Sequence, residues 1–213
     1  MAEQFSERWQ GSVSKAKEEL EQMHGKREEA LRKTRSMIQV SSKCIRHIHR
    51  RQFSEAEQLL REARELSDQT RDLLSEHPKL MYAGYLQDAQ KEVVEAAGVF
   101  AIVKGDPLPT VDELGVEITS YLNGMAEASS ECRRYVLDEM RDGNLIEANR
   151  MLGQMQEIYD DLITFDYPDS LTGGLRRTTD QLRGVIERTR SDLTMTQVQY
   201  HLMEELKKGR AEG

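Results

Sequence analysis

The chain has 213 residues, of which 32% are charged and only 6% aromatic, and its formal net charge is -8. This length allows one substantial hydrophobic core, so we expect a single domain over residues 1–213. The N-terminus has no apolar leader, and the longest uncharged apolar run, 96–103, is far too short to cross a bilayer. These features predict a cytoplasmic protein with no membrane partner.

The composition is typical of long helices. The four prolines lie only at positions 78, 107, 109 and 168, and no run of alternating β-branched residues indicates a strand. The two cysteines, Cys44 and Cys132, lack the paired spacing of a zinc site. We therefore predict an all-α, single-domain bundle of about six to seven long helices.

Three helices are predicted in the first half of the chain. The first runs to about residues 51–52, where its heptad-like apolar spacing ends. Ser54 and Glu57 form a capping-box pattern that predicts the start of the second helix, which a His-Pro pair closes. The third helix is expected over residues 80–104, and the loop 105–110, with two prolines, ends it.

The second half begins with Thr110, which has the chemistry of a helix cap and predicts a short helical turn. A longer helix is predicted over residues 116–142, and another over 145–163. A proline and two glycines mark residues 164–174 as a loop. A last helix is then expected over 175–208.

The first helix carries a concentration of positive charge that the overall net charge conceals. Nine Lys and Arg residues face only two Glu between Lys26 and Arg51. A helical wheel places several of these bases, with one Gln, on one side of the helix: Arg32, Arg35, Gln39, Lys43, Arg46 and Arg50. This side is about 27 Å long at 1.5 Å per residue, and His49 adds hydrogen-bonding capacity near its end. The pattern predicts contact with nucleic-acid phosphates, and the alternative is a solvated face without a ligand.

The third predicted helix contains the most apolar segment of the chain, and one carboxylate interrupts it. Between Val93 and Val103 the only charged residue is Glu95, and Glu92 lies one turn before it on the same face. An ionised carboxylate is costly to bury unless a cation or a proton accompanies it. Two acids one turn apart at this position therefore indicate a metal site.

Glu127 and Glu131, on the helix after the proline loop, are the expected partners of this pair. Mg²⁺ and Mn²⁺ prefer carboxylate oxygens, and three or four clustered acids suffice to hold them. Small residues such as Gly124 and Ala128 border this side of the helix, which permits another helix to approach closely. The alternative is that these acids form ordinary exposed pairs, since both lie opposite the main apolar stripe of their helix.

Four short motifs carry a resemblance to a known family. Residues 90–96 read Gln-Lys-Glu-Val-Val-Glu-Ala, and residues 121–127 read Tyr-Leu-Asn-Gly-Met-Ala-Glu. The first resembles the QEYVEA-type motif of translin-associated factor X, the catalytic subunit type of the translin family, and the second resembles that family's YLxG motif. Residues 130–134 are similar to the pattern that follows this motif, and residues 175–177 open a helix similar to the family's last helix. The resemblance is widest over residues 79–193.

The resemblance implies an all-α fold and a hollow octamer that encloses RNA, and subunits of the translin type also bind single-stranded DNA. The compact chain resembles the family's prokaryotic stand-alone members, which implies a homo-oligomer. The factor X type cleaves RNA with Mg²⁺, so Glu92, Glu95 and Glu127 inherit catalytic and metal-binding roles, with Glu131 as a supporting ligand. This chain departs from the family at Glu127, where the catalytic subunits carry Asp. It also departs at residues 81–85, which replace a His/Arg-rich stretch of translin.

Three functions are open at this point. The leading one is a metal-dependent endoribonuclease that holds Mg²⁺ or Mn²⁺ on its clustered acids and cleaves single-stranded RNA or RNA overhangs inside a homo-oligomeric shell. The basic side of the first helix would hold the strand by its backbone. The second is a non-catalytic single-stranded nucleic-acid-binding protein, and the third is a helical scaffold that binds no nucleic acid.

Overall fold

A computed structural model describes residues 2–211, and within that range the fold is all-α, as predicted. Six of the nine helices in this range are long, and the other three are single turns. In chain order they are α1 (Ala2–His49), α2 (Phe53–Leu74), α3 (Pro78–Met81), α4 (Tyr85–Lys104), α5 (Val111–Leu114), α6 (Ile118–Arg141), α7 (Leu145–Leu162), α8 (Asp169–Thr172) and α9 (Leu175–Ala211). None of them combines the length and the apolar character that a membrane span requires.

Helix α4 lies at the centre of the bundle because it is apolar on nearly all sides. It packs against α1 and α2 on one side and against α6 on the other. Neighbouring residues of α4 therefore belong to different parts of the core. Val93 lies in the same buried cluster as Met37 of α1 and Leu74 of α2, whereas Val94 lies in the cluster that contains residues of α6. Helices α7 and α9 cover the far side of α6.

Two predicted helix boundaries are wrong. Helix α2 begins at Phe53 after Gln52, without a side-chain cap, so the Ser54 and Glu57 pattern does not form its start. The Phe53 ring instead packs edge-on against the Phe100 ring of α4, with 6.4 Å between their centroids, and this contact fixes the entry of the chain into α2. The third predicted helix is divided into α3 and α4, because Gly84 adopts a φ of +96° between them.

The capping pattern at Thr110 does form. The Thr110 hydroxyl accepts a hydrogen bond from the backbone N–H of Glu113, and the Glu113 carboxylate accepts one from the backbone N–H of Thr110. This capping box holds α5 between the proline loop and α6. The remaining predicted helices agree with α6, α7 and α9 to within a few residues, while the predicted loop 164–174 contains the single turn α8.

Candidate metal centre and adjoining basic stripe

Helices α4 and α6 cross at small residues, and this close crossing positions the acidic side chains. A Cβ built on Gly124 of α6 would lie 2.6 Å from the Cβ of Val94 and 2.7 Å from the carbonyl oxygen of Lys91. One turn along each helix, a Cβ built on Gly98 of α4 would lie 2.8 Å from the Cβ of Ala128. Only glycine fits at these two contacts, so the two helix backbones approach each other closely. Acids that project from the two helices near the crossing are thereby brought together.

Three carboxylates meet at this crossing. Glu92 and Glu95 of α4 and Glu127 of α6 each place an oxygen within 4.8 Å of the other two. All three side chains are half-buried, in a setting of apolar α4 residues. Three carboxylate oxygens at this separation can converge on one hard divalent cation, which leaves further ligand positions for water and phosphate. The residues therefore fit a hard divalent cation.

The electrostatics of this carboxylate cluster favour a cation. Burial raises the pKa of Glu95 to about 8, and the negative charges of Glu92, Glu127 and Glu131 add to the rise. The pKa of Glu92 is also raised, chiefly by burial. Ionised carboxylates this close together also repel one another, and a bound divalent cation would offset both the cost of burial and that repulsion.

Lys91 is a member of this site that the sequence reasoning missed. Its Nζ lies 2.7 Å from Oε1 of Glu127 and forms the ion pair that joins α4 to α6 at the cluster. Burial acts to lower the pKa of Lys91, but Glu127, Glu92 and Glu95 together outweigh it, so that the pKa of this lysine is raised. The sequence signal for Lys91 was its position directly before Glu92 in the motif at residues 90–96, which places it within reach of the same helix crossing.

Glu131 lies beside the cluster but has its own partner. Its Oε1 is 2.6 Å from Nε2 of His49, at hydrogen-bond distance, and the His49 side chain is only 3% exposed. Glu131 is not one of the three carboxylates that converge, although its charge reaches Glu95. His49 was predicted as a nucleic-acid ligand, but the structure turns it toward Glu131 and away from solvent. It thus ties the end of α1 to the acidic side of α6.

Five predicted bases are exposed and form the basic stripe: Arg32, Arg35, Lys43 and Arg46 of α1, and Arg50, which directly follows the end of α1. Met37, Val40, Cys44 and Ile48 occupy the buried side of the same helix. Among the residues whose side chains are described, no carboxylate oxygen lies within 4.0 Å of any stripe member. Arg46 donates a hydrogen bond to the hydroxyl of Ser42, which leaves its charge without an acidic partner. The positive charge of the stripe is therefore available to an external anion.

Comparison with known proteins places the chain among relatives of similar length. No family model matches it. An uncharacterized protein of Methanocaldococcus jannaschii is 31% identical over 183 residues, which cover 85% of this chain and 81% of the relative. The crystal structure of AfC3PO, and the structure of AfC3PO with duplex RNA, are each 37% identical to this chain and superpose with a TM-score of 0.83. They match 87% of this chain and 96% or more of their own. Apo-NeC3PO shares the fold at 23% identity, with a TM-score of 0.78 over 86% of this chain and 96% of its own.

Proposed function

The chain belongs to the translin family, and from this premise we propose that it is a metal-dependent endoribonuclease of the translin-associated factor X type. The observation that carries this proposal is the convergence of Glu92, Glu95 and Glu127 within 4.8 Å at the crossing of α4 and α6. Non-catalytic binding of RNA would not need three mutually repelling carboxylates in a half-buried position. An RNA-related function agrees with the similarity to AfC3PO, which has been solved with duplex RNA.

Each group of the site has a part in this proposal. Glu92, Glu95 and Glu127 would hold Mg²⁺ or Mn²⁺, and the cation would supply positive charge for the phosphate and a water of lowered pKa. Glu131 would support the site from beside the three ligands, where its hydrogen-bond contact with His49 holds the Glu131 carboxylate in place. The apolar α4 residues around Glu95 keep the dielectric low, so that charges within the site act strongly on one another.

The basic stripe would hold the RNA through its phosphates. Contacts of this kind position a strand but carry little sequence information, so we expect weak sequence preference. Single-stranded RNA and RNA overhangs remain the proposed substrates, with single-stranded DNA as a further ligand. Because AfC3PO was solved with duplex RNA, a blunt duplex belongs in the same assay as the single strand and the overhang.

We also propose that the protein forms a homo-oligomer, an octamer as in the translin family. Support comes from the C-terminal part of α9, where Val198, Leu202 and Leu206 recur at helical spacing and are each about 60% exposed. Such a row is typical of a helix face that another subunit covers. Light scattering on the purified protein tests this, and a monomer at micromolar concentration would contradict it.

The test of cleavage is a Glu95→Gln variant assayed on labelled RNA with Mg²⁺ or with EDTA. Gln keeps the shape of the side chain but removes the charge that a hard cation needs, so cleavage should fall by orders of magnitude while RNA binding persists. Glu187→Gln, an exposed acid of α9 paired with Arg183, is the control and should cleave normally. Wild-type protein that binds RNA but does not cut it with Mg²⁺, or with Mn²⁺ in its place, would be a non-catalytic binding protein instead.

A further inference from the structure

We propose that Lys91 is the resident counter-ion of the carboxylate cluster, and that a divalent cation enters the site by displacing the Lys91 ammonium from Glu127. Lys91 would then set the cation concentration at which the site fills. This inference rests on the proposed function, because it takes the cluster to be the metal centre. It goes beyond that function by assigning a competitor for the metal among the chain's own residues.

The position of Lys91 makes this contact specific. Its backbone carbonyl oxygen lies at the helix crossing, 2.7 Å from where a Cβ of Gly124 would be. From there its side chain spans the crossing and reaches Glu127, which is one turn beyond Gly124 on α6. The lysine and the carboxylate are 28% and 32% exposed, so both can be reached by an ion from solvent.

The balance of charges in the carboxylate cluster explains why a divalent cation can replace the ion pair of Lys91 with Glu127. Glu131 has His49 as its neighbour, whereas Glu92, Glu95 and Glu127 share Lys91. One ammonium at 2.7 Å from one carboxylate leaves the other two largely uncompensated. A divalent cation brings twice the charge and accepts oxygens from all three acids at once. Cation binding therefore breaks one ion pair and relieves the repulsion among three carboxylates.

The alternative interpretation of the contact between Lys91 and Glu127 is a salt bridge that joins two helices and has no relation to a metal. Half-exposed pairs of this kind contribute little to stability. The two interpretations differ in what removal of the lysine does. If the ion pair is merely structural, loss of Lys91 leaves cation affinity unchanged. If Lys91 competes for Glu127, its loss makes the cation bind more tightly, because the ligand is free and a nearby positive charge is gone.

The experiment is calorimetric titration of the full chain with MnCl₂ at about pH 8.5, where protons compete less with the cation. We expect Lys91→Gln to bind Mn²⁺ roughly tenfold or more tightly than wild type. Lys91→Arg, which keeps the charge, should show no gain in affinity. Lys91→Met removes the charge in a side chain of similar length, so it should gain affinity as Lys91→Gln does, and it keeps the test decisive should the Gln variant fold poorly. Lys104→Gln removes an exposed lysine of the same helix that pairs with Asp106, and should change the Mn²⁺ affinity by less than about twofold.

Glu95→Gln separates this inference from the function on which it rests. If Glu95→Gln abolishes Mn²⁺ binding but Lys91→Gln binds like wild type, the cluster is the metal centre and the role of Lys91 is overturned. If Mn²⁺ binding by the wild type and by Lys91→Gln is absent, or does not depend on Glu95, the metal centre itself is overturned. A gain in affinity in Lys91→Gln that disappears in the double variant Lys91→Gln/Glu95→Gln supports the exchange.

Discussion

Gly124 of α6 lies so close to Val94 of α4 that no side chain fits between them: a Cβ on the glycine would be 2.6 Å from the Cβ of the valine. Gly124→Ala must therefore push the two helices apart. We expect a loss of about 1–3 kcal/mol in the free energy of unfolding, measured by urea denaturation. Because Glu127 sits one turn away on α6, the same change should also weaken Mn²⁺ binding.

The control is Gly153→Ala in α7, where a Cβ meets nothing within 4 Å and the residue is exposed. Alanine is the better helix former, so this variant should gain about 0.5–1 kcal/mol. Equal stabilities for the two alanine variants would show that α4 and α6 can separate at no cost, and that the close crossing does not hold the cluster together.

The sequence predicts the order of the long helices well, because their apolar spacing and the proline loop are local signals. It fails where a tertiary contact decides a boundary. The packing of Phe53 on Phe100 starts α2 before the Ser54 pattern, and the positive φ of Gly84 separates α3 from α4. Neither the aromatic contact nor the dihedral angle can be read from residue spacing.

In the candidate site, too, the sequence predicts what local signals determine and misses what tertiary contacts determine. Glu92 and Glu95 are recognisable because they border an apolar segment, and Glu127 because small residues flank it. The separate pairing of Glu131 with His49 and the ion pair of Lys91 with Glu127 depend on how α1, α4 and α6 cross. A helical wheel gives the direction of a side chain from its own helix axis. It does not tell which partner lies there.

A second stability prediction concerns the connection between α1 and α2. Arg51, at a φ of +59°, places Nη2 2.6 Å from Oε1 of Glu139, whose side chain is only 4% exposed. Arg51→Met leaves that carboxylate buried, with Asn144 as its one remaining side-chain hydrogen-bond donor among the described residues. Because Arg51 is itself half-exposed, we expect a loss of about 2 kcal/mol rather than the full cost of a broken buried pair.

The double variant Arg51→Met/Glu139→Gln checks the cause of this loss. Neutral Gln removes the uncompensated charge while it keeps an oxygen that can accept from Asn144. The double variant should therefore be more stable than Arg51→Met alone in a thermal denaturation. A double variant that is less stable by the sum of the two single losses would mean that the ion pair is not the relevant interaction.

The basic stripe predicts a specific salt dependence of RNA binding. Each phosphate contact on a single strand contributes about -0.7 to the slope of log K against log salt. Changing Arg46 and Arg50 together to Gln should therefore flatten the slope by roughly 1.4, measured by fluorescence anisotropy over a range of KCl concentrations. Both residues are exposed, so the melting temperature should not change.

The matched control for the stripe removes two arginines elsewhere. Arg61 pairs with Glu57 and Arg183 pairs with Glu187, each within its own helix, so Arg61→Gln/Arg183→Gln changes the net charge equally without touching the stripe. This variant should keep the wild-type slope. If both double variants alter the slope to the same extent, overall charge and not the stripe governs binding.

The last prediction is the effect of pH on the metal-free protein. Burial raises the pKa of Glu95 to about 8 in the folded state, whereas an unperturbed glutamate has a pKa of about 4.5. Between these values the folded protein keeps a proton on Glu95 that the unfolded chain has lost, so the free energy of unfolding should fall as pH rises from about 4.5 to 8 and then level off. Position 95 in Glu95→Gln has no proton to lose in this pH range. In EDTA this variant should therefore be as stable as wild type near pH 4.5 and more stable near pH 8.

Urea denaturation across this pH range measures the difference in stability, and Glu187→Gln is the control that should keep the wild-type slope. A wild type and a Glu95→Gln variant whose stabilities run parallel from pH 4.5 to 8 would mean that Glu95 titrates normally and that the cluster imposes no electrostatic cost for a cation to relieve.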